Sequence, residues 1–469
     1  MTQPETSLAG GSWRELLGRK YVGASAVLAG GVLLYATNEF LTISLLPSAV
    51  EEIGGQRYYA WVMTVYLVAS VAGATTVSAL LARFGPRLAY LGGLAVFAGG
   101  STVCALAPSM EMLLVGRVVQ GAAGGLLAGL GYAVINAALP QSLWTRASAL
   151  VSAMWGVGTF LGPAGGGLFA QFGSWRWAFG ALVALTIAIA VLVPIALPRR
   201  SRGHEVVAIR VPVWSLLPLG TAALLVSVAG VPENSVYTAA LLVAGGVLVA
   251  VFLVVDRRTK DSVLPPTAFR PGPLKWIYLT LGVLMAATMV VMYVPLFGQR
   301  LAQLAPATAG ALGVTLAIGW TVSEIVSASA DRRALVARIV FAAPLVMAVG
   351  LAASALLVRD GMDAWLVLVW GLALLIAGVG IGMAWPHLSA WAMTRVDDPA
   401  EGPVAAAAIN TVQLICGAFG AGLAGVVVNA AGSGDAGAAR WVFGVFAVIA
   451  AVGCVASYGA SRERRITVS

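Results

Sequence analysis

Long apolar runs, separated by short charged or Pro/Gly-rich breaks, dominate this sequence. A helix needs about 20 mostly apolar residues to cross the roughly 30 Å hydrocarbon core of a bilayer. Cutting the chain at its breaks leaves fourteen such runs, numbered here as spans 1 to 14. They are 21–47, 58–81, 88–107, 112–139, 147–170, 177–197, 213–231, 236–255, 276–297, 307–330, 339–358, 365–386, 404–430 and 441–458. The pattern predicts an all-α polytopic membrane protein with fourteen transmembrane helices.

The distribution of positive charge supports this division and predicts an orientation. Cytoplasmic loops of membrane proteins carry an excess of Lys and Arg. When both termini are placed inside, most of the 28 Lys and Arg residues fall on the inner side. We therefore expect a multi-pass protein of the cell membrane with cytoplasmic termini. The net charge of +9 follows from this orientation, so no nucleic-acid partner is expected.

Composition excludes large soluble modules and most enzyme chemistry. Hydrophobic residues make up 60% of the chain and charged residues only 10%, against about 25% charged in soluble domains. No GxxxxGK[ST] phosphate loop occurs. Cys104, Cys416 and Cys454 lie in apolar runs, where a thiol acts as a small hydrophobe. We expect no cofactor, no metal site and no enzymatic activity.

Similar residues and motifs occur in the same order in the N-terminal and C-terminal parts of the chain. The run SALLARFGPR at 78–87 is answered by SASADRRALVAR at 327–338, Pro47 by Pro295, and Gly162 by Gly420. These matches predict six-helix bundles at 1–199 and 273–469, joined by a linker at 200–272 that holds a hairpin of spans 7 and 8. Parallel repeats with a binding site between the halves are a transporter pattern. Chance similarity of small apolar residues is the alternative.

Three runs have the form of known motifs: SALLARFGPR after span 2, LLVGRVVQG in span 4 and GTFLGPAGGG in span 5. They resemble the patterns GxLaDRxGRR, LxxxRxxQG and GxxxGPxxGG of the major facilitator superfamily, and in particular of its 14-span drug:proton antiporter branch. Ser78 and Ala82 replace the first glycine and the aspartate of the loop motif, whereas the second-half copy keeps Asp331. The resemblance implies conformational roles for Arg83, Gly85, Arg87, Gln120, Gly121, Gly158, Gly162, Pro163, Gly166, Gly167, Asp331 and Arg332.

Ionisable residues are rare inside the predicted spans: they are Glu39, Glu324 and Arg117. Such residues usually mark an ion or substrate path. At 1.5 Å of rise per residue, Glu39 lies about 12 Å and Arg117 about 9 Å below the outer end. We predict that they pair, directly or through water, with Glu39 as protonation site and Arg117 as its modulator. The alternative is a static bridge that orders the bundle.

Proton coupling needs a carboxylate whose proton affinity differs between the two transport states. Burial raises the pKa of a carboxylate and a nearby cation lowers it, so movement of Arg117 relative to Glu39 would provide the switch. Glu324, about 10 Å from the inner end, is a second coupling candidate. The position near the inner end favours the alternative, in which Glu324 is hydrated or paired with Arg332 or Arg333 as a gate or interhelix contact. His387 is more consistent with an interfacial residue than with a proton relay.

The glycines of span 5 predict close helix packing. Small residues let helix backbones approach each other, and Pro163 removes a backbone hydrogen bond. We expect a tight, kinked contact between spans 5 and 13. The resemblance implies that this motif belongs to antiporters, and a plain packing role is the alternative.

The expected cavity surface is sparsely polar and rich in Met and Trp, residue types that promiscuous sites use. This favours a lipophilic or amphipathic substrate. The cavity candidates are Asn38, Asn136, Met154, Trp155, Met289, Met292, Tyr293, Trp385, Asn410 and Gln413, for each of which core packing is the alternative.

The leading hypothesis is a proton-coupled exporter of lipophilic compounds that works by alternating access. Its partners are a small-molecule or lipid substrate, protons and the lipid bilayer, and we expect a monomer. One alternative is a non-transporting receptor or scaffold on the same fold, suggested by Ala82. The other is a lipid transporter in which the extra hairpin opens a lateral path to the bilayer.

Overall fold

The computed structural model describes residues 12–198, 212–232, 234–330, 332–398, 401–432 and 434–461. Within these ranges the chain is helical and contains no β-strand. Thirteen helices are long and apolar enough to cross a membrane, and a further apolar helix, Val213–Val228, is shorter. The predicted all-α polytopic membrane fold is confirmed. Asp331 lies outside the described residues, as does the side chain of Asn136.

The fourteen principal helices follow the predicted spans in order. Their bounds are α1 Val22–Ile53, α2 Trp61–Thr75, α3 Val77–Ala105, α4 Met110–Ala133, α5 Trp144–Phe172, α6 Trp175–Ala196, α7 Val213–Val228, α8 Ser235–Arg258, α9 Leu274–Ala302, α10 Pro306–Ser327, α11 Arg333–Leu357, α12 Ala364–Thr394, α13 Gly402–Ala430 and α14 Gly434–Ser461. A 3-10 segment, Met289–Tyr293, interrupts α9. Two short helical turns, Ile135–Ala138 and Gln141–Leu143, connect α4 to α5.

The segment between spans 2 and 3 is not the simple loop that the sequence suggested. It is helical from Val77 and turns a corner at Gly85, whose φ is 74° and ψ 172°. A side chain is strained at such a positive φ, so glycine suits the corner. Pro86 follows because proline is tolerated in the first turn of the new helix segment. Arg83 is exposed before the corner and Arg87 is half-buried after it.

Equivalent helix pairs pack together in the two halves of the chain. In the first half α1 packs on α5, α2 on α4 and α3 on α6, and in the second half α9 packs on α13, α10 on α12 and α11 on α14. Glycines mark the closest crossings. A Cβ at Gly121 or Gly125 of α4 would clash with carbonyl oxygens of α2. A Cβ at Gly378 or Gly382 of α12 would clash in the same way with carbonyl oxygens of α10.

The glycine motif of span 5 packs on α1 and α10, so the expected contact with span 13 is wrong. A Cβ at Gly158 or Gly162 would press on the backbone of α1, and at Gly166 it would clash with the carbonyl oxygen of Leu41. Gly167 lies against Ala307 at the start of α10. Helix α13 instead packs on α2, where Gly425 faces Ala60. The sequence shows which face of a helix carries small residues, but not which neighbouring helix packs against that face.

The hairpin of α7 and α8 lies on the seam between the halves. Helix α7 contacts both α2 and α13, whereas α8 packs mainly on α7. The α8 side chains Val236 and Val243 are strongly exposed. Exposed apolar residues on a helix that is apolar all round are typical of a lipid-facing span.

Candidate functional site

Arg117 on α4 is the centre of a buried polar cluster. Its Nη1 donates to Asn38 Oδ1 on α1 at 3.1 Å and to Gln120 Oε1 at 2.9 Å, and its Nε donates to the Val62 carbonyl at 3.2 Å. The guanidinium carbon also lies 4.0 Å from the centroid of the Tyr66 ring. A buried cation needs such partners because an unsatisfied charge in a low-dielectric interior is costly. The cluster joins α1, α2 and α4.

A second layer of hydrogen bonds fixes the orientation of Gln120. Its Nε2 donates to Ser101 Oγ on α3 at 2.8 Å, and Cys104 Sγ lies 3.4 Å from its Oε1. The sequence motif had indicated Gln120, but Ser101 and Cys104 had carried no recognisable signal within their apolar runs. The buried thiol therefore takes part in the network as a weak donor.

Glu39 is buried, with 5% of its surface exposed, one position after Asn38. The direct Glu39–Arg117 pair is not formed in this structure, because Asn38 occupies the position at the guanidinium and no ion pair joins these two described side chains. Consecutive helix residues point about 100° apart, which explains why one neighbour reaches Arg117 and the other does not. The two opposite charges still interact electrostatically.

Aromatic side chains extend the cluster towards α5. Tyr66 stacks on Tyr35 with ring centroids 5.4 Å apart, and Tyr66 OH donates to the Tyr35 carbonyl at 3.1 Å. Trp155 meets Tyr35 edge-on at 5.2 Å. The predicted cavity residue Trp155 is thus connected to Arg117 through two tyrosines, and the adjacent Met154 is half-buried.

Several polar atoms on α1 are buried and meet no hydrogen-bond partner within the part of the chain that the structure describes. They are the Tyr35 hydroxyl, the Thr37 hydroxyl, Asn38 Nδ2 and the Ser44 hydroxyl. Buried polar groups in proteins are normally satisfied, and each exception calls for an explanation. Because Asn38 Oδ1 is held by Arg117, the orientation of its amide group, including the two N–H donors of Nδ2, is fixed.

The predicted cavity residues of α9 lie in a contact between the halves. Tyr59 OH donates to the Met292 carbonyl at 3.1 Å, and the Tyr59 ring stacks on Tyr293 with centroids 4.9 Å apart. Met289, Met292 and Tyr293 are all buried. Phe297 continues the stack at 5.8 Å from Tyr293. We call the stacked rings of Tyr59, Tyr293 and Phe297 the aromatic plug.

Other contacts join the halves at the same end of the molecule. Gln171 Oε1 accepts from Ala307 N at 3.3 Å, Arg300 Nη2 donates to Gln56 Oε1 at 3.1 Å, and Asn429 Nδ2 donates to the Arg57 carbonyl at 3.0 Å. We call the end that contains Tyr59, Phe297 and Asn429 the closed end. The predicted orientation would place it outside the cell.

Glu324 on α10 belongs to a separate cluster. Its Oε2 accepts from Trp320 Nε1 at 2.9 Å, and Trp320 packs on the predicted cavity residue Trp385 at 5.4 Å. Its described hydrogen-bond partner is thus an indole, rather than the arginines considered from the sequence. His387 Nε2 lies 2.9 Å from Ser327 Oγ and links α12 to α10.

The remaining sequence candidates are not among the described hydrogen-bond partners of Arg117. Asn410 on α13 is exposed and Gln413 is half-buried. Arg332 is exposed at the start of α11, and the Arg83 guanidinium lies over the Phe84 ring at 5.3 Å. Among the residues described, no group of His, Cys, Asp and Glu could hold a metal ion.

Comparison with known proteins places these features among membrane transporters. The sequence model of the Major Facilitator Superfamily matches residues 28–421. A probable multidrug-efflux transporter of Mycobacterium tuberculosis is 60% identical over 473 residues, covering 98% of this chain and 99% of the relative. Multidrug resistance protein 3 of Bacillus subtilis is 22% identical, covering 78% and 72%. In three dimensions, a bacterial homologue of the human lysosomal transporter Spinster, solved inward-facing and occupied, superposes with a TM-score of 0.64 at 13% identity, covering 96% and 98%.

Proposed function

Because the chain belongs to the Major Facilitator Superfamily, we propose that this multi-pass membrane transporter is a proton-coupled exporter of lipophilic or amphipathic compounds. It works by alternating access of its two halves, and it resides in the cell membrane as a monomer with cytoplasmic termini. The observation that carries the proposal is the buried Glu39 beside the Arg117–Asn38 hydrogen bond. Buried ionisable residues in membrane helices are costly and functional by default.

The coupling step follows from the position of the two charges. With Arg117 held by Asn38, Glu39 has a cation nearby but not in direct contact. A shift of α1 against α4 within the first half, made as the two halves rock, turns Glu39 towards the guanidinium and favours the ionised form of Glu39. Movement away favours the protonated form, since an isolated carboxylate in a low-dielectric medium neutralises. Proton uptake on one side and release on the other is then linked to the transport cycle.

The substrate class is supported by the chemistry next to this site. The Tyr35–Tyr66 stack, Trp155 and Met154 supply apolar and aromatic surface. The unpartnered Tyr35 hydroxyl and Asn38 Nδ2 supply hydrogen-bonding groups. Aromatic, Met-containing surfaces with few polar groups suit varied apolar ligands. The 60% identical mycobacterial relative, which is named a probable multidrug-efflux transporter, points to the same class.

The experiment is proton flux in proteoliposomes that contain a trapped pH-sensitive dye. Addition of ethidium, a lipophilic cation, is expected to drive proton movement with wild-type protein and not with Glu39→Gln. Glu51→Gln is the matched control, because Glu51 is an exposed carboxylate on the same helix. Equal fluxes for wild type and Glu39→Gln would refute the coupling role.

The same vesicles separate the two alternative functions. A receptor or scaffold binds ethidium but does not move it into sealed vesicles. A lipid transporter is revealed if fluorescent phospholipid analogues, and not ethidium, are moved and compete for binding. Either result would replace the exporter proposal.

A further inference from the structure

The α7–α8 hairpin is tied to the second half of the chain at the end opposite the closed end. Asp256, at the end of α8, accepts from Val263 N at 2.7 Å and from Leu264 N at 2.9 Å, which fixes the turn after the hairpin. Thr267 Oγ1 then accepts from Asp397 N at 2.9 Å, and Thr267 N donates to Glu401 Oε2 at 3.1 Å. The hairpin is therefore anchored to the α12–α13 connection.

Towards the closed end, α7 is packed on α13. A Cβ at Gly422 would lie 3.3 Å from the Ser227 Cβ, and Gly230 lies against the Val426 backbone. Asn429 Nδ2 donates to the Gly230 carbonyl at 3.1 Å. Backbone-to-backbone contact over this length is the type of small-residue packing that holds membrane helices together.

The same stretch of α7 also binds α2 of the first half. Trp61 Nε1 donates to the Ser227 carbonyl at 2.9 Å, and Ser227 Oγ donates to Thr64 Oγ1 at 3.2 Å. In contrast to the backbone packing on α13, these contacts are made mainly by side chains. Val68 of α2 also lies close to Gly220, where an added Cβ would be 3.3 Å from Val68 Cγ1.

We propose that the hairpin moves as part of the C-terminal bundle and that α7 acts as a clasp that holds the closed end shut. The two anchors join α7–α8 to α12 and α13. In the described part of the chain, the hydrogen bonds that cross from α7 to α2 of the N-terminal bundle are Trp61–Ser227 and Ser227–Thr64, here called the clasp. Opening the closed end separates α2 from α13 and must break the clasp. This inference rests on the proposed alternating-access cycle and assigns the additional hairpin a function in it.

Two disulfides that share Ser227→Cys test which bundle the hairpin follows. Thr64→Cys/Ser227→Cys joins the hairpin to α2, and Ser227→Cys/Gly422→Cys joins it to α13. The side-chain oxygens of Thr64 and Ser227 are 3.2 Å apart, so these two side chains already meet. A Cβ at Gly422 would lie 3.3 Å from the Ser227 Cβ, slightly nearer than the roughly 3.5–4.5 Å between the Cβ atoms of a disulfide. In both, Cys416 and Cys454 are replaced by Ala, and the buried Cys104 is kept.

Oxidation is expected to stop ethidium transport by the α2-linked protein, with recovery after reduction, and to leave the α13-linked protein active. The reduced form of each protein is its own control for folding. The opposite pattern would mean that the hairpin follows the N-terminal bundle. Loss of activity in both, or in neither, would contradict the clasp as well.

A measurement without substrate separates failure of this inference from failure of the proposed function. Spin labels at Leu106→Cys and Asp360→Cys, both exposed at the closed end, report its width. Trp61→Phe or Ser227→Ala is expected to raise the population of the wide state about 2- to 10-fold, the effect of losing one hydrogen bond. Trp214→Phe and Ser235→Ala, at exposed hairpin positions, should leave it unchanged. Unchanged distances in both clasp variants would overturn the proposal even if transport is normal.

Discussion

Arg117 Nη1 and Asn38 Oδ1, 3.1 Å apart, join α4 to α1 in the interior of the N-terminal bundle. The bond places a neutral acceptor at the guanidinium and leaves the adjacent carboxylate of Glu39 outside direct contact. In the proposed transport cycle, the position of Asn38 decides whether Glu39 and Arg117 form a fixed ion pair or a pair that can change.

Replacing the neutral acceptor Asn38 with a charged aspartate should convert its contact with Arg117 into a static ion pair. In Asn38→Asp the new carboxylate binds Arg117 directly, so Glu39 no longer responds to its movement. We expect a folded protein that binds ethidium but has lost most proton-coupled transport. Binding by fluorescence and flux in proteoliposomes measure the two properties. Wild-type flux in this variant would show that Asn38 does not control coupling.

Removing the Asn38 side chain, and with it the hydrogen-bond acceptor of Arg117, should mainly lower the stability of the protein. Asn38→Ala leaves a buried guanidinium with one partner fewer, which costs about 1–3 kcal/mol. Thermal unfolding of the detergent-solubilised protein should show a lower midpoint. Asn410→Ala, at an exposed position, is the control and should unfold like the wild type.

Lysine should not replace Arg117. A single ammonium group cannot reach Asn38, Gln120 and the Val62 carbonyl at once, because lysine lacks the planar fork of arginine. We expect Arg117→Lys to lose transport by at least about tenfold, the effect of one lost charged hydrogen bond. Ethidium efflux per molecule of purified protein is the measurement. Full activity would mean that only the positive charge matters.

Glu324 and Glu39 should differ in their effect on proton coupling. A glutamine at 324 can still accept the Trp320 indole hydrogen bond, so Glu324→Gln removes the charge and keeps the contact. We expect it to keep the pH dependence of transport, and Glu39→Gln to lose it. Transport rates measured across a pH series compare the two variants. Loss of the pH dependence in Glu324→Gln alone would move the coupling site to the C-terminal half.

The glycines at the closest helix crossings should not tolerate replacement by alanine, which adds one methyl group. In Gly121→Ala the new Cβ clashes with the Tyr66 carbonyl oxygen, which has no room to move within α2. Overpacking of this kind costs about 1–3 kcal/mol. Gly99→Ala on α3 is the control, since nothing lies within 4 Å of a Cβ at that position. The yield of monodisperse protein and its unfolding midpoint should fall only in the first variant.

The sequence by itself determined the class of fold. Apolar runs of membrane-crossing length are a one-dimensional property, and each run forms its own backbone hydrogen bonds in the bilayer, so span number and order could be predicted. The same logic identified Arg117 and Glu39, because ionisable residues are conspicuous in apolar helices, whereas Gln120 was indicated by the family resemblance. The family resemblance also implied a conformational role for Gly85, but it did not predict that this residue is a corner within the helical segment α3.

Only the tertiary structure decided which side chains meet. The choice of Asn38 rather than Glu39 as the partner of Arg117 depends on helix rotation, which no pattern of hydrophobicity specifies to within one residue. The placement of the span 5 glycines against α1 and α10, and of Tyr293 in the aromatic plug, depends on how whole helices pack. Within a bilayer the apolar faces are nearly equivalent, so these choices come from close packing and hydrogen bonding between helices rather than from burial.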